Sequence, residues 1–229
     1  MYLYLDIDGV LNTNETVLKA YGESKLEGFR RNVSTYFEDV NTHQFLQRIL
    51  SLDRRYCKRL KNWIRRCSIH KIVICSSMRK RYTLNQIKLM FLVKGYPEIA
   101  DIIIDETPHD VEFKIVQDKY FFTRYEHNAK DKRIKIDEIE VPKEWLNNCF
   151  LNLNAKSSTM NSREIEILYH QWKLCRGTHI FCILDDAVDH LRGNRMADFL
   201  NFRHEPYPDE LKQKKTNALE TPSVYAPFC

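Results

Sequence analysis

Two aspartates one residue apart, Asp6 and Asp8, close the apolar run Tyr2-Leu3-Tyr4-Leu5 and are followed by Gly9. A second apolar run, Lys71 to Cys75, stops at Ser76-Ser77, and another, His179 to Leu184, stops at Asp185-Asp186. In an open parallel sheet, ligands bind beyond the carboxyl ends of the strands, so these side chains are expected to converge on one rim. Carboxylates gathered there repel: two like charges 4 Å apart cost about 4 kcal/mol at an effective dielectric of 20. A hard cation removes that cost, and Mg²⁺ takes one or two carboxylates together with waters and phosphate oxygens. The chemistry implied is that of a cation and a phosphate.

The elements that must position these residues are readable from hydrophobic pattern. Tyr2 to Asp8 reads as a buried strand ended by Gly9. From Asp53 the spacing predicts a helix with Tyr56, Leu60, Trp63, Ile64 and Cys67 on one face and basic residues on the rest. Lys71–Cys75 is a second strand, Thr83–Lys94 a helix stopped by Gly95 and Pro97, and Ile102–Ile104 a third short strand. Residues 13–52 are polar, with a weak helical pattern only near Gln44 to Leu50. Residues 109–160 break the alternation. Strand-like pieces at Glu112–Val116, Tyr120–Arg124 and Arg133–Ile136 suggest an inserted cap with the pattern of a β-meander. Helical pattern returns from Ser162 to Cys175, with Asn161 and Glu164 spaced as a capping box. Alternating strands and helices imply an α/β fold, a parallel sheet with right-handed crossovers. The core segments are about 1–12, 53–108 and 160–204, and the tail 205–229 is expected to wrap the surface.

Leu5-Asp6-Ile7-Asp8-Gly9-Val10-Leu11-Asn12 resembles motif I of the haloacid dehalogenase (HAD) superfamily. Ile72 to Ser77 resembles motif II, Ser162-Arg163-Glu164-Ile165 the motif III region, and Phe181 to Asp186 motif IV. Ser76-Ser77-Met78-Arg79-Lys80, Thr107-Pro108 and the Arg163 segment are further similar to the HAD domains of Swiss-army-knife RNA-repair proteins. Met78 stands where those domains carry Trp, and the 109–160 insert is longer than theirs. The resemblance implies a Rossmann-like HAD fold and a Mg²⁺-dependent phosphomonoesterase. In it Asp6 is the nucleophile and Asp8 the acid/base. Ser76, or Ser77, bonds a phosphoryl oxygen, and Arg163, or Lys156, stabilises the transferring group. Asp186 binds Mg²⁺ beside Asp6 and the Asp8 carbonyl, with Asp185 orienting the shell and Asp189 as an alternative. Gly9, Ser77, Arg79 and Arg81 are the expected substrate-binding residues.

The same resemblance puts nucleic-acid ends, of RNA or DNA, and nucleotides first among substrates. A phosphatase of a small metabolite and an inactive scaffold binding nucleic acid or protein are the alternatives. Formal net charge is +5, but Arg54 to Pro97 holds thirteen Lys or Arg residues and no acid. That asymmetry suits a phosphate-bearing partner electrostatically, and solvated faces of two helices account for it equally well. Seven scattered cysteines without CxxC pairs argue against a disulfide framework. No His-Cys, HxH or HExxH spacing suggests zinc. Trp63 and Trp172 sit on apolar helix faces. The aromatics Phe113 to Tyr125 read as cap packing more than as base-stacking surface. With no signal-peptide pattern or membrane-length apolar run, the chain is expected to be cytoplasmic.

Overall fold

The strand β1 (Tyr2–Leu5) is apolar at every position because both of its faces are covered. Side chains alternate across a strand. Leu3 and Leu5 enter one core with Phe45, Leu60, Trp63, Ile72, Ile74 and Phe91. Tyr2 and Tyr4 enter another with Val73, Cys75, Phe122, Ile167, Leu168 and Phe181. The structure, a computed structural model, describes residues 1–12, 16, 42–149, 162–176 and 181–185. The tail, most of the 13–52 insert, and Lys156, Asp186 and Asp189 lie outside them.

Along the described chain, β1 is followed by α1 (Thr42–Ser51), α2 (Arg54–Arg66), β2 (Lys71–Ile74) and a 3₁₀ turn over Ser77–Lys80. Next come α3 (Leu84–Lys94), α4 (Pro97–Ile102) and β3 (Ile103–Glu106). The meander β4 (Val111–Val116), β5 (Lys119–His127) and β6 (Arg133–Val141) then leads to α5 (Lys143–Cys149), α6 (Ser162–Cys175) and β7 (Phe181–Leu184). The central sheet has the order β3-β2-β1-β7 and its strands run parallel, with helices α1 to α4 contributing to the first core and α6 to the second. This is the Rossmann-like α/β arrangement expected from the alternation. Among the described residues, no helix is long and apolar enough to cross a membrane.

Local chemistry explains the element ends. Asp53 caps α2 by accepting from Arg55 N at 2.7 Å, and Arg65 and Arg66 complement the negative end of the helix dipole. Thr83 and Gln86 form a capping box on α3, and Gly95 ends it at φ +90°, a conformation that favours glycine. Pro97, read as a stop signal, does more: it opens α4, where its missing N–H is one the first turn never uses. β3 therefore lies one residue later than expected. Trp63 is core, as its helix face implied.

The 109–160 insert holds the antiparallel meander, with longer strands than the sequence suggested and an unforeseen helix, α5. It packs onto α6 through Val111, Phe122 and Val141, which join Trp145, Leu146, Ile167 and Leu168 in the second core. Phe113 and Tyr120 pack against that cluster. These aromatics hold the meander to the body of the protein.

Candidate active site

The sheet ladder aligns the ends of its strands. Asp6 N donates to Leu184 O at 2.8 Å, Cys75 N to Leu5 O at 3.0 Å, and Thr107 N to Ile74 O at 2.9 Å. With adjacent strands about 4.8 Å apart, Asp6, Ser76 and Asp185 leave the sheet side by side. Beyond Asp6 the chain turns tightly. Leu11 N bonds Ile7 O at 2.9 Å, Gly9 adopts φ +79°, and Gly9 N donates to Asn12 Oδ1 at 2.8 Å. A Cβ-bearing residue would be strained at that φ. The turn presents Asp8 back toward the rim, where Asn12 Nδ2 donates to its Oδ1 at 3.0 Å.

Asp6 is 5% exposed and Asp185 is fully buried. Between them sits Arg163, in the first turn of α6. Its Nη1 is 3.5 Å from Asp6 Oδ2 and 3.7 Å from Asp185 Oδ2, and it donates to Cys75 O. Burial raises the Asp6 pKa, against Arg163, a hydrogen bond with Ser76 and the Ile7 amide, which donates to Oδ1 at 2.7 Å. The guanidinium thus only partly offsets the cost of a buried carboxylate here. Ser76 is buried and its Oγ accepts from Met78 N at 3.3 Å. Ser77 is exposed and donates to Asp8 Oδ2 at 3.3 Å. Asp8 also pairs with Arg48 on α1 at 3.1 Å.

Asp6, Asp8, Gly9, Ser76, Ser77, Arg163 and Asp185 therefore come together. Arg79 does not join them as a substrate ligand, and the expectation is corrected. Its side chain is 2% exposed and pairs with Glu166, one turn beyond Arg163 on α6. It donates to Thr107 O at 2.9 Å, Ser76 O at 2.7 Å, Pro108 O at 3.5 Å and Cys75 O. A planar five-donor fork suits such a clamp. It ties the end of β2, the loop after β3 and α6 into one unit. Arg81 is exposed beside the 3₁₀ turn, its backbone N bonding Met78 O at 2.9 Å.

Two neighbours escaped the sequence reading. Arg48 belongs to the polar insert, where nothing tied it to Asp8. Glu166 had one signal, its place three residues after Arg163 on the same helix face. Among the described residues no group of three or more His, Cys, Asp or Glu side chains is set to hold a metal. The described donors nevertheless suit a hard cation: Asp6 and Asp185 are two buried carboxylates that share a single guanidinium nitrogen.

Comparison with known proteins adds one match. A family model described as the HAD domain in Swiss Army Knife RNA repair proteins matches residues 2–205. No curated protein and no solved structure matches the chain.

Proposed function

The chain belongs to the family of HAD domains found in Swiss Army Knife RNA repair proteins, and from that premise we propose a magnesium-dependent phosphomonoesterase acting on nucleic-acid ends or nucleotides. The observation that carries this reading is the buried Asp6–Arg163–Asp185 arrangement at the strand rim, with Ser76 and Asp8 beside it.

In the proposed reaction an Asp6 carboxylate oxygen attacks phosphorus as the bond to the leaving oxygen breaks, giving an aspartyl-phosphate. Asp8, partly exposed and steered by Asn12, Ser77 and Arg48, gives the leaving oxygen its proton. Water then attacks the aspartyl-phosphate and loses a proton to Asp8, which releases inorganic phosphate and restores the Asp6 carboxylate and the protonated Asp8. Ser76 Oγ donates to a phosphoryl oxygen. Arg163 offsets charge on Asp6 and on the transferring group, in a site where burial strengthens the interaction. Asp6, the Asp8 carbonyl and the Asp185-Asp186 pair would hold the ion, which when bound supplies positive charge against that of the phosphate. The clamp at Arg79 fixes Ser76 and Arg163 relative to each other, so that neither must reorganise during the reaction.

The test is phosphate release with Mg²⁺ from 3′- and 5′-phosphorylated RNA and DNA oligonucleotides, mononucleotides and sugar phosphates. The proposal expects release from the oligonucleotides or mononucleotides. Release from sugar phosphates alone would replace it with a small-metabolite phosphatase, and release from none of them with an inactive scaffold.

A further inference from the structure

Of three arginines at the catalytic rim, two are spent. Arg79 serves backbone carbonyls and Glu166, and Arg163 lies between Asp6 and Asp185. The third, Arg48, reaches Asp8, with Nη1 3.1 Å from Oδ1. Its side chain is 21% exposed and that of Asp8 33%, against 2% for Arg79 and 13% for Arg163. The Arg48–Asp8 pair is thus the side of the site most open to solvent.

Arg48 projects from a fixed frame. Phe45 and Leu46 are fully buried and Ile49 is 1% exposed, which seats α1 in the core. Lys94 Nζ donates to Ile49 O and Leu50 O, each at 3.1 Å. Just past the helix, Asp53 N donates to Leu11 O at 2.8 Å. Leu11 belongs to the turn that carries Asp8, so both members of the ion pair stand on one unit. A cation in the last turn of α1 also complements the helix dipole. That role needs no particular aim, whereas this guanidinium meets a carboxylate 40 residues away in the chain.

Its position decides what Arg48 meets. In the phosphatase reading, on which this inference rests, Asp8 hands a proton to the leaving oxygen, and a general acid works at about 2.6–3.2 Å from that atom. The leaving group therefore lies against Asp8, next to Arg48. In that step Asp8 brings a proton and no charge, and among the described residues Arg48 has no other acidic partner. A guanidinium with five N–H donors then faces the leaving group with its charge unmatched. At the end of a nucleic-acid chain the leaving oxygen sits on the terminal sugar, and another oxygen of that sugar carries the next phosphate. This holds for a 3′- and for a 5′-phosphate alike. A nucleoside or sugar monophosphate has no such second anion. Guanidinium and phosphate join through charge-assisted hydrogen bonds, often two in parallel. Lys80 and Arg81, both exposed and close in the chain to Ser77, which itself bonds Asp8, add positive charge to the same approach. We propose that Arg48 is a specificity residue that binds the phosphodiester adjoining the terminal nucleotide, so that the substrate is the phosphorylated end of a chain.

The experiment is steady-state phosphate release with Mg²⁺ from 3′- and 5′-phosphorylated dinucleotides, from the matching mononucleotides, and from dinucleotides whose internal linkage is an uncharged methylphosphonate. For at least one end, the native chain should prefer the phosphodiester-linked dinucleotide to the mononucleotide by about 10–100-fold in kcat/KM, the range of one hydrogen bond to a charged group. The methylphosphonate should fall to the mononucleotide level. Arg48→Gln should abolish most of the preference and Arg48→Lys part of it, and the lysine variant carries the test should Arg48→Gln fail to fold. Both variants also slow the mononucleotide, because Arg48 steers Asp8, but a disturbed Asp8 or a weakened fold strikes both substrates alike. The ratio between them is therefore the readout. Equal kcat/KM for dinucleotide and mononucleotide, a preference that the methylphosphonate keeps, or one that both variants leave intact overturns the inference. In each of these cases phosphate is released and the phosphatase reading stands. Release from none of the substrates removes that reading, and this inference with it.

Discussion

Replacing Arg79 by methionine tests whether this arginine is a structural clamp. Its partner Glu166 has a side chain only 9% exposed, and stranding one member of a buried ion pair costs about 3–5 kcal/mol. Of the four carbonyls it serves, Cys75 O keeps Arg163 and Ser76 O keeps the Arg79 amide. Thr107 O is left bare, adding about 1–3 kcal/mol. Because the terms overlap, Arg79→Met should lose about 4–6 kcal/mol, a fall in Tm of roughly 8–24 °C for a chain of this size. Burial already raises the Glu166 pKa, with Arg79 and Arg163 opposing it, and loss of Arg79 raises it further. A raised carboxyl is favoured where it is protonated, so the loss should be full near pH 7–8 and shrink as pH falls toward the Glu166 pKa. Urea denaturation across that range reads the effect. Arg79→Met combined with Glu166→Leu should regain most of the stability, as apolar replacement of a buried pair often does, but not the activity, since Ser76 and Arg163 lose their tie. A loss below about 1 kcal/mol, or a double variant no more stable than Arg79→Met alone, would refute the clamp.

Other outcomes follow from the same geometry. Arg163→Ala should lower kcat by about 10²–10³, the usual effect of removing one transition-state donor, with Arg163→Lys intermediate; steady-state kinetics on a phosphorylated oligonucleotide measures both. Excess chelator should silence the enzyme and Mg²⁺ restore it, and Asp186→Ala should weaken magnesium activation more than Asp185→Ala in a metal titration. His109 has a folded pKa of about 4 against 6.5 unfolded. The unfolded chain therefore binds more protons between these values, and stability rises with pH across that window. His109→Asn should gain about 1–2 kcal/mol relative to the native chain on going from pH 7.5 to 4.5, a figure discounted for the partial exposure of the ring. Denaturant midpoints at the two pH values check it.

The strands of the rim were legible because strands buried on both faces are apolar without interruption, so Leu5, Cys75 and Leu184 each mark where a polar rim residue follows. The meander was legible only in outline. Its β4–β5 turn is made by Gln117 and Asp118, both at positive φ, without the Asn-Gly pair that advertises such a turn. Arg79 shows a different limit. A sequence reports that a residue is charged but not which way a one-turn 3₁₀ segment aims it. Here Met78 and Arg79 both turn inward while Lys80 and Arg81 face solvent. Arg48 was unreadable for a similar reason: Phe45, Leu46 and Ile49 seat α1 against the core, and only that packing brings Arg48 to Asp8.

The covalent role of Asp6 is the centre of the account. It is tested most directly by phosphate release from a phosphorylated oligonucleotide with Asp6→Asn beside Asp8→Asn, at saturating Mg²⁺ and with folding of each variant verified. An amide cannot form the aspartyl-phosphate, so Asp6→Asn should show no measurable turnover. Asp8→Asn loses acid/base assistance, a loss of about 10²–10⁴-fold, and should accumulate acid-trapped phosphoenzyme. Retention by Asp6→Asn of more than about a hundredth of the native rate, within reach of acid/base loss alone, would contradict the mechanism.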